Sequence, residues 1–144
     1  MSIDPIDKTE KEIEEEFSLF DDWMGKYEYI IELGKDLPLI DEKYKTEEYK
    51  VKGCQSQVWL NAVLKDGRVY YKADSDAIIT KGLIALLIRV LSGHKPEEIS
   101  EAKLDFINKI GMKEHLSPNR SNGLMSMISY MKKYALTYSG KNVN

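Results

Sequence analysis

The sequence predicts an α+β fold, a small three-stranded antiparallel sheet set among helices. Three observations predict it. Apolar residues recur at helical spacing up to about residue 33 and again from residue 77 to about residue 138. Between these stretches lie short runs rich in Val, Tyr and Trp, with the alternation of half-buried strands. Asp66-Gly67 separates two of those runs with the dipeptide that favours a tight hairpin.

The elements follow in order. Thr9 with Glu12 fits a capping box, so a first helix is expected from Thr9 to about Asp21. Ile13, Phe17 and Phe20 form its stripe, with Leu19 beside it. Asp21 or Asp22 caps a second helix, Trp23 to Leu33, whose stripe is Trp23, Tyr27, Ile30 and Ile31. Gly34 stands where a glycine commonly closes a helix, and Pro38 follows. Residues 37–48 read as loop. Tyr49–Lys52 is expected as strand one, Val58–Leu64 as strand two and Val69–Ala73 as strand three. Antiparallel pairing returns the end of strand three to the loop between strands one and two. Asp74, Ser75 and Asp76 are therefore expected near Cys54, with Ser75 or Asp76 capping the next helix. That helix, Ala77–Leu91, is apolar on more than one face and so central. Gly82 within it permits close approach of a neighbour. A short helix starts at Pro96, another spans Leu104 to Gly111, and Ser117-Pro118 opens the last helix. His94 is expected at the surface beyond a helix end.

Composition bounds the function. One domain spanning residues 1–144 is expected, with residues 1–8 and 140–144 flexible. The hydrophobic fraction of 42% and charged fraction of 31% are those of a soluble globular chain. A single cysteine excludes an intramolecular disulfide, and with two histidines it argues against a zinc site; no bound metal is expected. No apolar run reaches the ~18 residues of a membrane span. The acidic N-terminus lacks an apolar signal core. A cytoplasmic location is expected, where a free thiol survives. The net charge of −3 is uneven: residues 1–48 carry 6 Lys+Arg against 16 Asp+Glu, and the remainder 15 against 8. The acidic third reads as a solvated helix face or a partner surface. No dense basic cluster interleaved with aromatics suggests nucleic acid.

The stretch richest in chemistry is Val51-Lys52-Gly53-Cys54-Gln55-Ser56-Gln57-Val58-Trp59. Its thiol has three open states: a small buried hydrophobe, a redox liability or a nucleophile. Gly53 gives access to positive φ, and Gln55, Ser56 and Gln57 are poor residues for a dry core. The thiol thus sits at a loop tip. His94 and His115 lie in no recognisable hydrolase motif, and no phosphate-cradling glycine loop is present. Arg120, in the first turn of the last helix, opposes the helix dipole. It calls for a partner such as the Asp74/Asp76 pair, a carbonyl or a docking protein, or else for solvent exposure.

Gly53-Cys54-Gln55-Ser56-Gln57-Val58-Trp59 resembles the signature of the SufE family, sulfur acceptors in iron–sulfur cluster assembly. Tyr27-x-Tyr29-Ile30-Ile31-Glu32-Leu33-Gly34, Asp74-Ser75-Asp76-Ala77 followed by Lys81-Gly82-Leu83-Ile84-Ala85, and His115-Leu116-Ser117-Pro118-Asn119-Arg120-Ser121-Asn122-Gly123-Leu124 resemble further family stretches, in order from about Phe17 to Ala135. The resemblance implies helices packed mainly on one sheet face, similar to the IscU-type scaffold. It implies that Cys54 takes persulfide sulfur from a SufS-type cysteine desulfurase, stimulates that enzyme, and delivers to a SufB-containing scaffold complex. Pyridoxal phosphate would belong to the desulfurase, leaving this chain without a cofactor of its own and not an enzyme alone. Gly53, Gln55, Ser56, Asp74, Asp76, His115 and Arg120 would support Cys54 or dock the partner. The rival readings are a single-cysteine redox sensor and a scaffold or binding module.

Overall fold

The computed structural model describes residues 5–139, with side chains except at Lys113. Of the termini expected to be flexible, residues 1–4 and 140–144 lie outside the described residues, whereas Ile6–Lys8 are helical. Helix α1 spans Ile6–Phe17, α2 Trp23–Gly34 and α3 Ile78–Leu91. Strands β1 and β2 span Val58–Lys65 and Arg68–Ser75. Helices α4 (Pro96–Glu101), α5 (Phe106–Lys109), α6 (Met112–His115) and α7 (Pro118–Ser139) complete the order.

Helix α1 starts earlier and ends sooner than its pattern suggested. Pro5 precedes its first turn, and the Pro5 carbonyl accepts from Thr9 N–H at 3.1 Å, so Thr9 is an interior, buried position and not a cap. Ile6 packs against the core, which rewards the extra turn. The helix stops at Phe17, where i→i+3 bonds tighten the chain and leave Leu19 80% exposed. Helix α2 is capped as expected: Asp22 Oδ1 accepts from Gly25 N–H at 2.9 Å. Gly34 does not close it through a left-handed turn. It is the last helical residue, and a Cβ there would lie 2.8 Å from Gly82 N. Gly82 in turn sits against the Ile30 carbonyl, so two glycines let α2 and α3 touch backbone to backbone.

The sheet has two strands, not three. Its hairpin turns at Asp66 (φ 53°) and Gly67 (φ 78°), with Val58 opposite Ser75 and Lys65 opposite Arg68. The expected strand at Tyr49–Lys52 contributes one antiparallel bridge, Lys50 to Trp59, with Val51 N–H donating to Val58 O at 2.8 Å. A 3-10 turn at Glu47–Tyr49 and the positive φ of Gly53 bend the chain away on both sides of that bridge. On the opposite edge β2 is covered by two single bridges, Leu39 to Ala73 in parallel and His94 to Val69 antiparallel, so both flanks of the hairpin are shielded. Val58, Leu60 and Ala62 share a buried face with Tyr71 and Ala73 and pack into the core with α3 and α7.

Three further expectations are corrected. The helix read across residues 104–111 is confined to Phe106–Lys109, because Leu104 is buried in a left-handed conformation (φ 58°). His94 is buried, 3% exposed, because Val69 N–H donates to its carbonyl and draws it against the sheet. Neither Ser75 nor Asp76 is the residue that caps α3; Ala77 is, and no side chain caps it. Most acidic residues of the first third are exposed, as a solvated face would be, but Glu10 and Glu16 hold elements together. Glu16 forms a two-pronged pair with Arg89 of α3 (2.8 and 2.6 Å), and Glu10 accepts from Phe106 N–H at 3.3 Å.

Candidate functional site

Cys54 stands in a loop held at both ends. Gly53 before it has φ 96°, a conformation that admits glycine at little cost. After it, Gln57 and Asp76 exchange two hydrogen bonds. Gln57 N–H donates to Asp76 Oδ1 at 3.0 Å, and Asp76 N–H donates to Gln57 O at 3.3 Å. The hydroxyls of Ser56 and Thr80 lie 3.3 Å apart. The hairpin topology therefore brings Asp76 to the thiol loop, as the strand order required.

The thiol is half-buried in the wall of a cleft of about 330 Å³. The loop residues Cys54, Gln55 and Ser56 form one side. Asp76, Ala77 and Thr80 at the start of α3, and Asn119, Arg120 and Gly123 at the start of α7, form the others. Leu83, Ile84, Leu124 and Met127 supply an apolar floor. The Sγ atom lies 3.6 Å from the Gly123 carbonyl, and a Cβ at 123 would stand 3.4 Å from it. Burial pushes the Cys54 thiol above its ordinary pKa, so it rests protonated near neutrality.

Not every sequence-selected residue converges here. Asp74 lies outside the cleft. Burial alone would raise its pKa, but Lys45 (2.6 Å), the Ser75 amide (2.8 Å) and Lys81 (3.3 Å) outweigh burial and hold it below the usual carboxylate value. His115 does not line the cleft either; it is exposed and stacks on Trp23 with ring centres 4.6 Å apart. Arg120 lines the cleft and is exposed, one of the readings open for it, and it makes no ion pair with Asp74 or Asp76. Its guanidinium lies 5.7 Å from the Tyr27 ring centre. Thr80, Asn119 and Gly123 were not singled out from sequence. Asn119 and Gly123 fall within the family-like stretch 115–124, and a glycine inside a helix, which costs about 1 kcal/mol against alanine, is a further signal of close approach at Gly123. Among the described residues no three His, Cys, Asp or Glu side chains gather in a metal-holding group.

The SufE family model, described as an Fe-S metabolism associated domain, matches residues 11–135, starting ahead of Phe17. "SufE-like protein 1, chloroplastic/mitochondrial" of Arabidopsis thaliana is 42% identical over 138 residues, covering 93% of this chain; the match spans only 37% of that longer protein. A SufE-like protein of Rhizobium meliloti is 43% identical over 129 residues, 86% of this chain and 92% of that one. One from Synechocystis is 41% identical over 126 residues, 88% and 79%. The solution structure of a hypothetical protein from Thermus thermophilus superposes with a TM-score of 0.76 at 21% identity, over 92% of this chain and 97% of that one, which shows the shared fold. The resemblance first read around Cys54 thus extends over nearly the whole chain, which belongs to the SufE family and its domain of Fe–S metabolism.

Proposed function

We propose that this protein is a sulfur acceptor and carrier, in which Cys54 takes persulfide sulfur from a SufS-type cysteine desulfurase. Docking stimulates that enzyme, and the sulfur is passed on to a SufB-containing scaffold. The observation that carries the reading is the position of Cys54 Sγ. It is half-buried at a loop tip, against a cleft with room for more than one further sulfur atom.

The transfer requires no redox partner. The Cys54 thiolate attacks the terminal sulfur of the donor's persulfide. A new S–S bond forms at Cys54, the donor's S–S bond breaks, and the donor cysteine leaves as thiolate. Pyridoxal phosphate belongs to the desulfurase and is not asked of this chain, which is no enzyme on its own. Two features of the cleft suit its cargo. The apolar floor of Leu83, Ile84, Leu124 and Met127 keeps water and reductant from the terminal sulfur. The uncapped start of α3 and Arg120 offset the negative charge of a persulfide anion. Gln55, Ser56 and Gly53 form the loop that switches between sheltered and presented states, and Asp76 is its tether. Asp74, tied to Lys45 and Lys81, supports the strand end, and exposed His115 is left to partner docking. A reducing cytoplasm suits a lone free thiol.

The redox-sensor reading uses the same thiol and is separated by experiment: peroxide reactivity of Cys54 without any effect on a desulfurase would favour it. A cluster-building scaffold would need more thiolates than one cysteine supplies. The test is intact-protein mass spectrometry after incubation with the host's cysteine desulfurase and cysteine, on wild type and Cys54→Ser. Gain of a sulfur atom on wild type only, reversed by reductant, is expected. No gain beside an active desulfurase would overturn the acceptor role for that pair.

A further inference from the structure

The Cys54 loop rests on α7 residue by residue. Cys54 Sγ faces the Gly123 carbonyl at 3.6 Å. Gly53 lies over Ser126, whose hydroxyl fills the space a Cβ at 53 would need. Lys52 N–H donates to the Tyr130 hydroxyl at 3.2 Å. Positions 123, 126 and 130 stand at i, i+3 and i+7, one face of a helix. That face therefore meets three consecutive loop residues in reverse order.

Tyr130 belongs to a row whose other members do something different. Tyr134 and Tyr138 donate to the carbonyls of Leu60 and Ala62 at 3.3 and 3.0 Å, within β1, where pairing already fixes the backbone. Tyr130 accepts from an amide at the base of the thiol loop. Lys52 is exposed, so water can replace Tyr130 once the loop lifts, and this contact can break without leaving a buried orphan. The opposite base is tethered by Asp76 on another element. Two anchors thus bracket Gly53–Ser56, one at the α3 junction and one on α7.

We propose that Tyr130 is a positioning residue for the thiol: its hydroxyl pins the first base of the loop and sets how readily Cys54 leaves the cleft. The purpose assigned to this anchor rests on the acceptor reading; its geometry does not. A single hydrogen bond of this kind shifts a local equilibrium by roughly two- to tenfold.

The test is the rate of Cys54 alkylation by iodoacetamide in the full chain at fixed pH, followed by intact mass, for wild type, Tyr130→Phe and Tyr134→Phe. Melting temperatures and amide exchange are recorded alongside. Tyr130→Phe is expected to alkylate roughly two- to tenfold faster and to exchange faster at residues 52–54, with melting close to that of Tyr134→Phe. Tyr134→Phe is expected to alkylate at the wild-type rate. Unchanged alkylation in Tyr130→Phe overturns the proposal, as does equal acceleration in Tyr134→Phe, which would mark general loosening. If the desulfurase delivers no sulfur to wild-type Cys54 while the alkylation difference stands, the acceptor reading falls and the anchor remains.

Discussion

Gly53→Ala isolates the energy that keeps the thiol in its cleft. Two costs act together at this position. The backbone sits at φ 96°, and an L residue forced left-handed costs roughly 1–2 kcal/mol. The new Cβ would also meet the Ser126 hydroxyl, which must leave its rotamer well at a cost of order 0.5–1.5 kcal/mol. The sum, about 1.5–3.5 kcal/mol, bears on the closed loop alone, since Gly53 is exposed and outside the packed core. The chain escapes the cost by opening the loop, so global stability falls by less. At a factor of ten per ~1.4 kcal/mol, loop opening rises at least tenfold, up to the ceiling set by a fully open loop. Alkylation of Cys54 reads this directly, and persulfide loaded on the variant should be lost to added reductant faster by a comparable factor. Combining Gly53→Ala with Ser126→Gly removes the collision and leaves the backbone strain, so part of the acceleration should disappear. The reasoning fails if Gly53→Ala melts at a much lower temperature while Cys54 alkylates at the wild-type rate. The strain would then be borne by the core and not by the loop.

Two other predictions concern the framework. Gly82→Ala places a methyl group on the Ile30 carbonyl, a backbone atom that cannot retreat unless α2 and α3 separate. A loss of roughly 1–3 kcal/mol is expected, at about 2–4 °C of melting temperature per kcal/mol; melting within 1 °C of wild type, at about that sensitivity, would refute the close contact. His94 is held below its ordinary pKa by burial, with Arg68 acting in the same direction and Glu98, 3.7 Å away, opposing. A histidine whose folded pKa is depressed stabilises the fold above its unfolded value of about 6.5, and that contribution is lost as the pH falls below it. Melting between pH 7.5 and 5.5 should therefore decline more steeply for wild type than for His94→Gln, and parallel curves would rule the histidine out as the cause.

Local signals were legible where chain neighbours decide the outcome. Asp22, Asp66-Gly67, Pro96 and Pro118 mark turns or helix starts that the structure keeps. The approach of Asp76 to the Cys54 loop was also readable, because antiparallel pairing leaves strand ends little freedom. What escaped depends on distant partners. Tyr49–Lys52 alternates like a strand, but the turns on either side of it permit one bridge only. Asp74 reads as a site carboxylate until Lys45, 29 positions earlier, is seen to claim it. His94 follows a helix end, as surface residues do, yet a backbone bond from Val69 pulls it inward. The seat on α7 lies about 70 residues from the loop it holds, and no local pattern announces a tyrosine that accepts from such a loop.

Burial gives the thiol both its shelter and its inertness. A protonated Cys54 under a closed loop is a poor nucleophile, so the resting protein resists casual oxidation and alkylation. The same protonation would make it a poor acceptor unless docking changes its surroundings. On the acceptor reading, a desulfurase that binds the open loop better than the closed one must offset the bonds at Asp76 and Tyr130 and the contact with Gly123. That cost lowers the apparent affinity by the closed fraction and returns as selectivity, because a partner without differential affinity for the open loop cannot reach the thiol. Loosening either anchor should then tighten desulfurase binding and shorten the life of free persulfide together. The two effects share one loop equilibrium and cannot be separated by changing the anchors alone.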